Sequence, residues 1–439
     1  MRDGRPPRLS EIPAFTAYMN TGWDVPDRTP PVVPGAAEAA AAHRARLAEA
    51  LPGRTVVLAA GRAPIRSNDT TYGFRADSDF VWTTGCAIED AVVVLRDGEA
   101  TLYAPPPAYP GDLRFWSDAR HGELWVGAAP GLDDWSRALG VPVRPLAELD
   151  LEAGEDAEAR RVLAELRMHK DDWEVEQLRQ AVDRTVEGFA AVVREIPAAV
   201  AGPGERWLQG TFDRYARAYG NGPGYASIVG SGPHAATLHW ERCDGPVLPD
   251  ELLLLDLGVE VTSHYTADVT RTFPASGRFS PAQRQVHDLV ERAHRAGLAA
   301  VGPGRPFTDF HHAAMEVIAH GLADWGLLPV SVDEALSDGG QHHRRYLVCG
   351  IGHHLGLDVH DCAGAREESY HGALLAPGMV LTVEPGLYFH AHDLTVPPEL
   401  RGIGVRLEDD LLVTLGGARV LSEALPLDAA GVEKWMAQA

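Results

Sequence analysis

Four carboxylates in the second half of the chain sit where a β-sheet core is expected. Asp256 in LLLLDLGVE, Asp268 in YTADVTRTF, Glu384 in LTVEPGLY and Glu408 in GVRLEDDLLV each lie in or beside a Val-, Leu- or Ile-rich run that reads as a buried strand. His353 in GIGHHLGLDVHD completes the set. An ionised carboxylate taken out of water is costly unless something positive meets it. Four that converge repel one another unless divalent cations neutralise them. Mostly oxygen with one imidazole, the donors suit hard or borderline ions such as Mn²⁺, Co²⁺ or Zn²⁺ rather than thiolate-seeking ones.

At 439 residues the chain exceeds one ordinary core, so two domains are expected. Its formal charge is −23, from 62 acidic and 39 basic residues, which argues against nucleic acid or an anionic membrane as the main partner. The N-terminal MRDGRPPRLSEIPAF lacks the apolar core of a secretory signal, and runs such as LLLLDLGV are too short to cross a bilayer. Cys86, Cys243, Cys349 and Cys362 show no CxxC spacing. A reduced, cytoplasmic protein is the expectation.

Residues 1–35 read as an irregular arm, rich in Pro, Arg and polar groups. Ala36 to Leu51 reads as a helix, Thr55–Ala60, Phe80–Thr84, Ala91–Leu95, Thr101–Ala104 and Leu124–Val126 as strands, and Asp133–Leu139 and Ala157–Met168 as helices. This alternation predicts an α/β domain over residues 1–168. A second domain, 169–439, opens at Lys170-Asp171-Asp172, whose acidic pair can cap a long helix. Apolar residues from Val175 to Ile196 recur in steps of three and four, and Pro197 stops them. A helix over Glu205–Tyr219 follows, then Leu252–Val261 and Thr266–Phe273 as a hairpin. Helices near Pro281–Val301 and Phe307–Trp325 precede strands at Met379–Val383, Gly404–Leu407 and Leu411–Thr414. Asp256 and Asp268 thus fall on an early hairpin, Glu384 and Glu408 on late strands. Two such halves facing each other would put metal between them.

Taken singly, each carboxylate has a bland reading as a strand end, a turn cap or an arginine partner. Together, Asp-x-Gly, Tyr-x-x-Asp-Val-Thr-Arg, His-x-x-Gly-x-Asp-Val-His-Asp, Val-Glu-Pro-Gly and Arg-x-Glu-Asp occur in that order. Over roughly residues 170–415 the chain resembles the pita-bread metallopeptidases, which include aminopeptidase P, prolidase and methionine aminopeptidase. The resemblance implies an α+β pita-bread (creatinase/aminopeptidase-like) catalytic domain behind the α/β domain. It implies two divalent metal ions, Mn²⁺ first, with Co²⁺ or Zn²⁺ as alternatives. Asp256 and Asp268 would chelate one ion, His353 and Glu384 would complete the second, and Asp268 and Glu408 would bridge. Arg66-Ser67-Asn68-Asp69, Tyr72-Gly73-Phe74-Arg75 and Trp125 in ELWVG look like aminopeptidase P in particular. That likeness implies a peptidase for N-terminal Xaa-Pro bonds, using a metal-bridging hydroxide on peptides with proline second. It also implies a homodimer or homotetramer in which Asp69 and Trp125 reach a neighbouring subunit's substrate.

Two cations roughly 3.5–4 Å apart can lower the pKa of a shared water and aim it at a carbonyl. Glu384 is the candidate to take and return the proton. His239 in TLHW and His360 in DVHD are candidate oxyanion partners, since the family uses histidines at both places. Arg406, two before Glu408 on a strand, faces the same way and is expected to orient the carboxylates. Tyr225, Cys349 and Tyr388 join Asp69 and Trp125 as substrate-binding candidates. His354 points away from His353 on a strand and is read as structural; His342 to Arg345 is read as a solvated turn.

Cys349 stands where aminopeptidases P commonly place a histidine, and Cys243 where asparagine is usual. Neither removes a ligand; lineage drift is the plainer reading, and a specialised substrate is the alternative. Prolidase, which prefers the dipeptide, is the nearest alternative. Metal-free creatinase and a non-catalytic binding module fit less well, because the ligands are intact.

Overall fold

The computed structural model describes residues 8–151, 154 and 156–438. The chain divides after Leu163 into two compact units. Among the described residues no helix is long and apolar enough to cross a membrane.

The first unit is built on a four-stranded sheet ordered Thr55–Ala59, Val92–Arg96, Glu99–Ala104, Val143–Pro145. The first three strands are antiparallel neighbours, and the fourth runs parallel to the third. Val92 to Leu95 are all buried, as expected of an inner strand covered on both faces. Helix Ala36–Ala50 buries Ala36, Ala39, Ala40, His43, Arg44 and Leu47, one stripe at helical spacing.

Three expectations fail here, each for a physical reason. Phe80–Thr84 is not a strand but part of helix Ser78–Thr84, capped by the Asp77 carboxylate accepting from the Phe80 N–H and ended by Gly85 at φ +74°. Every residue of that helix is buried, which erases the periodicity that separates helix from strand. Leu124–Val126 belongs to the single helical turn Glu123–Val126 and is exposed rather than core. The arm is not wholly irregular either. It holds helix Pro13–Met19, with proline in its first turn, and Phe15 packs edge-on against Trp116 at 5.2 Å.

The second unit repeats one plan twice. Helices Asp172–Arg194 and Glu205–Tyr219 precede an antiparallel sheet ordered Val269–Pro274, Leu252–Leu257, Ile228–Ser231. Helices Pro281–Ala300 and Asp309–Asp324 precede a second, ordered Val380–Val383, Asp409–Thr414, Gly417–Val420. Asp171 and Glu174 form a reciprocal capping box on the first helix, as do Ser280 and Gln283 on the third. Pro197 does not stop a helix: the long helix ends at Arg194, and Pro197 sits in the first turn of Ile196–Ala201. Nor is 342–345 a solvated turn. His343 is buried with Nδ1 2.7 Å from the Ala335 carbonyl, and Arg344 donates to the carbonyls of Leu347, Val348 and Cys349.

Strand Val269–Pro274 ties the two halves together. The Glu408 N–H donates to the Thr270 carbonyl at 3.0 Å, and the Thr272 hydroxyl to the Arg406 carbonyl at 3.1 Å. Arg271, 1% exposed, donates to the carbonyls of Thr270, Glu408, Leu425 and Pro426 and pairs with Asp409 at 2.6 Å. Removing one member of such a buried pair leaves an uncompensated charge. Arg271→Met is expected to lower unfolding free energy by about 3–5 kcal/mol in urea titration. A change below about 1 kcal/mol would show that the arginine is not a strut.

Candidate metal centre

The paired strands carry the five residues to one place. Asp256 lies near the end of strand Leu252–Leu257, opposite Thr270. Asp268 directly precedes the next strand, and its N–H donates to the Asp410 carboxylate at 3.1 Å. Between them Gly258 cannot be replaced, because a Cβ there would lie 1.9 Å from the Ala267 carbonyl oxygen. The segment bearing His353 runs alongside strand Val380–Val383. The His353 N–H donates to the Thr382 hydroxyl, the Thr382 N–H returns to the His353 carbonyl, and the Glu384 N–H reaches Ile351. Glu408 follows strand Gly404–Arg406.

Ligand atoms of Asp268, His353 and Glu408 all lie within 4.8 Å of one another. His353 Nε2 is 3.3 Å from Asp268 and 3.5 Å from Glu384. Its Nδ1 is 3.1 Å from the His354 carbonyl, to which it donates, and this bond orients the ring so that Nε2 faces the carboxylates. Asp256 accepts from the Tyr225 hydroxyl at 2.6 Å and pairs with the Arg406 guanidinium. Arg406 also donates to the Tyr388 hydroxyl at 2.9 Å and to Thr270 Oγ1 at 3.1 Å. Thr270 in turn donates to Glu408 at 2.7 Å. Arg406 and Glu408 therefore share one hydroxyl, as their alternate spacing predicts.

Without a cation the cluster is electrostatically strained. Burial, reinforced by neighbouring carboxylates, pushes Glu408 well above the usual carboxyl range, raises Asp256, and raises Glu384 to about 7. Burial opposes a charged His353, but Asp268 and Glu384 outweigh it and lift the imidazole to about 9. Burial would also raise Asp268, yet His353 holds it below its ordinary value. Four carboxylates around one imidazole and one guanidinium fit divalent ions, and a donor set of oxygens with one nitrogen fits the hard-to-borderline kind.

The cluster opens into a cavity of about 400 Å³. Tyr225, His239, Cys349, His360 and Tyr388 line it beside the carboxylates, and His360 meets His353 edge-on at 4.5 Å. Asp69 and Trp125 belong to the first unit. Asp69 is exposed between the short strands Ile65–Ser67 and Thr70–Thr71, and Trp125 is 61% exposed. Cys243 is buried instead of facing the cavity, with Sγ against the Ser227 and Trp240 carbonyls. His354 is fully buried between the Phe307 and Tyr370 rings, and burial drives its imidazole down to about 3. Sequence reasoning missed Thr270 and Asp410. The alternation Asp268, Thr270 and Glu408, Asp410 was the available signal, since residues two apart on a strand share a face.

Metallopeptidase family M24 matches residues 176–415, and the family described as Aminopeptidase P, N-terminal domain, matches residues 40–163. The chain belongs to metallopeptidase family M24, with an aminopeptidase P-type N-terminal domain and a pita-bread catalytic domain. It is 47% identical to Xaa-Pro aminopeptidase 2 of Streptomyces coelicolor, covering 97% of this chain and 96% of that relative. It is 30% identical to Xaa-Pro aminopeptidase of Escherichia coli, covering 88% and 95%. Among solved structures, aminopeptidase PepP of Pseudomonas aeruginosa superposes with TM-score 0.79 at 30% identity, over 94% of this chain and 99% of that one. Escherichia coli aminopeptidase P with the inhibitor Pro-Leu gives 0.80 at 29% identity, over 92% and 98%.

The strain sets the pH response of metal-free protein. His353 at about 9 in the fold against 6.5 unfolded means that the fold retains a proton the unfolded chain has lost between those values. This stabilisation is complete below about 6.5 and disappears as pH rises through about 9. After chelation the urea midpoint is expected to fall from pH 7 to pH 9, and to fall less in His353→Gln. A midpoint that rises over that range contradicts the assignment.

Proposed function

We propose that the chain is a dinuclear-metal Xaa-Pro aminopeptidase, hydrolysing the bond between an N-terminal residue and a following proline. The observation that carries this reading is the convergence of Asp256, Asp268, His353, Glu384 and Glu408 on a cavity flanked by His239 and His360. The Xaa-Pro aminopeptidase relatives, matched over nearly the whole chain, support the substrate class. Asp256 and Asp268 would hold one ion, His353 and Glu384 the other, with Asp268 and Glu408 shared. Mn²⁺ is the proposed ion, ahead of Co²⁺ or Zn²⁺. Such ions, when bound, supply Lewis acidity and a water activated near neutral pH.

This chain's residues then divide the remaining work. Glu384 has a side chain 19% exposed against 9% for Asp256 and 7% for Asp268, so it is more open to the cavity than either aspartate. It takes the proton of the attacking water on a carboxylate oxygen and returns it to the prolyl nitrogen as that bond breaks. The proton is required: the prolyl nitrogen carries no hydrogen in the peptide and leaves as a secondary amine. His239 and His360 offer N–H groups to the carbonyl oxygen as charge develops on it. Arg406 orients Asp256 directly and Glu408 through Thr270, while the rings of Tyr225 and Tyr388 wall the cavity. Cys349 on the cavity wall is a poorer hydrogen bonder than an imidazole and leaves the carbonyl contacts to His239 and His360.

The exposed Leu124, Trp125 and Val126 support a homodimer or homotetramer that lends Asp69 and Trp125 to a neighbouring subunit. Four unpaired cysteines, three of them buried, suit the cytoplasm.

Chelated protein should cleave an Xaa-Pro-Yaa tripeptide only after Mn²⁺ is restored, and faster than the Xaa-Pro dipeptide. Glu384→Gln should lower kcat by at least about 10²-fold. Dipeptide preference would make the protein a prolidase, and a fully active Glu384→Gln would end the proposed proton path.

A further inference from the structure

Glu205 is a buried carboxylate that the mechanism does not use. It is the first residue of helix Glu205–Tyr219, its side chain is 0% exposed, and it does not line the cavity. One oxygen accepts from the Ser231 N–H and His234 Nδ1, the other from the Trp240 indole N–H and the Gly245 N–H, all at 2.8 Å. These four donors span 231–245, the connection between strands Ile228–Ser231 and Leu252–Leu257. That connection brings Leu238, His239 and Glu241 to the cavity wall.

The clamp is tight. The Glu205 N–H donates to the Gly245 carbonyl at 3.0 Å, and a Cβ on Gly204, at φ +68°, would come within 2.1 Å of that oxygen. Trp240 is further fixed by stacking on His234 at 3.8 Å and by the Arg242 guanidinium 4.3 Å over its ring. His239 itself is exposed to the cavity, and among the described residues no hydrogen bond to its ring holds it. The position of that imidazole therefore follows from its backbone, and the backbone is tied one residue on, at Trp240.

We propose that Glu205 is a positioning residue for His239, fixing through Trp240 the loop that presents the imidazole to the substrate carbonyl. The inference rests on the peptidase reading for its catalytic consequence. A carboxylate accepts all four hydrogen bonds; an amide turns one oxygen into an NH₂ that confronts N–H donors. Trp240→Phe is milder, removing one donor while keeping a ring beside His234.

The test is a double-mutant cycle on Xaa-Pro-Yaa hydrolysis with the metal-loaded full chain. Glu205→Gln and Trp240→Phe should each lower kcat/KM by about tenfold in the wild-type background, but by less than about twofold in His239→Ala, with bound metal unchanged. Equal losses in both backgrounds, or full activity of either folded variant, overturn the proposal. If Glu205→Gln does not fold, Trp240→Phe decides alone. A second readout needs no turnover: the His239 imidazole NMR signal, assigned by its loss in His239→Ala, should broaden or split in the folded variants. A wild type inert on Xaa-Pro peptides, with the signal still broadened in the variants, counts against the peptidase reading alone, whereas a signal unchanged in the variants overturns the positioning role.

Discussion

Concentrated negative charge at the buried end of a cavity between sheets is the constraint on which the catalytic unit depends. Asp256, Asp268 and Glu408 are buried, and Arg406 answers one of them directly. Such an arrangement survives only if its surroundings hold the acidic segments in place and leave room for cations. The surroundings comply. Tyr225 holds Asp256, Thr270 links Arg406 to Glu408, and Asp410 takes the Asp268 backbone N–H. Outside this layer Arg271 and Asp409 lock the two strand systems together, so the ligand positions and the stability of the unit share a backbone.

The repeated plan of two helices followed by three strands explains how one chain assembles a symmetric demand. Each half contributes carboxylates on or directly beside a strand, and the histidine comes from an extended segment paired to a strand of the second half. Rigid strands suit groups that must be placed to a fraction of an ångström, whereas the cavity-lining imidazoles ride on loops. His239 lies in the connection after strand Ile228–Ser231, and His360 in the stretch beyond His353. Loops of this kind need buried anchors, and polar anchors such as Glu205 meet that need only when all their hydrogen bonds are made.

Much of the site was legible because acidic residues inside apolar runs contradict the pattern around them, and the contradiction points to a cation. The cavity gathers Asp256, Asp268, His353, Glu384 and Glu408 together with His239, His360 and Arg406. Thr270, Asp410 and Glu205 were silent for the opposite reason. Their types are ordinary in a strand, beside another acid, or at a helix start, and their partners lie far along the chain. Element errors followed the same logic. Phe80–Thr84 is buried on every side and offers no period, and the apolar run Leu124–Val126 is exposed, so hydrophobicity alone misplaced it. His343 looked like part of a solvated basic turn because its partner, the Ala335 carbonyl, is invisible to local pattern.

The central claim is that this carboxylate cluster exists to hold two cations. Elemental analysis of chelated protein reloaded with Mn²⁺ and freed of excess metal tests it most directly. Two equivalents per chain in the wild type, and fewer than one in Asp268→Asn with its fold intact, are expected. Binding of one equivalent or none by the wild type, or two retained by Asp268→Asn, would contradict the account.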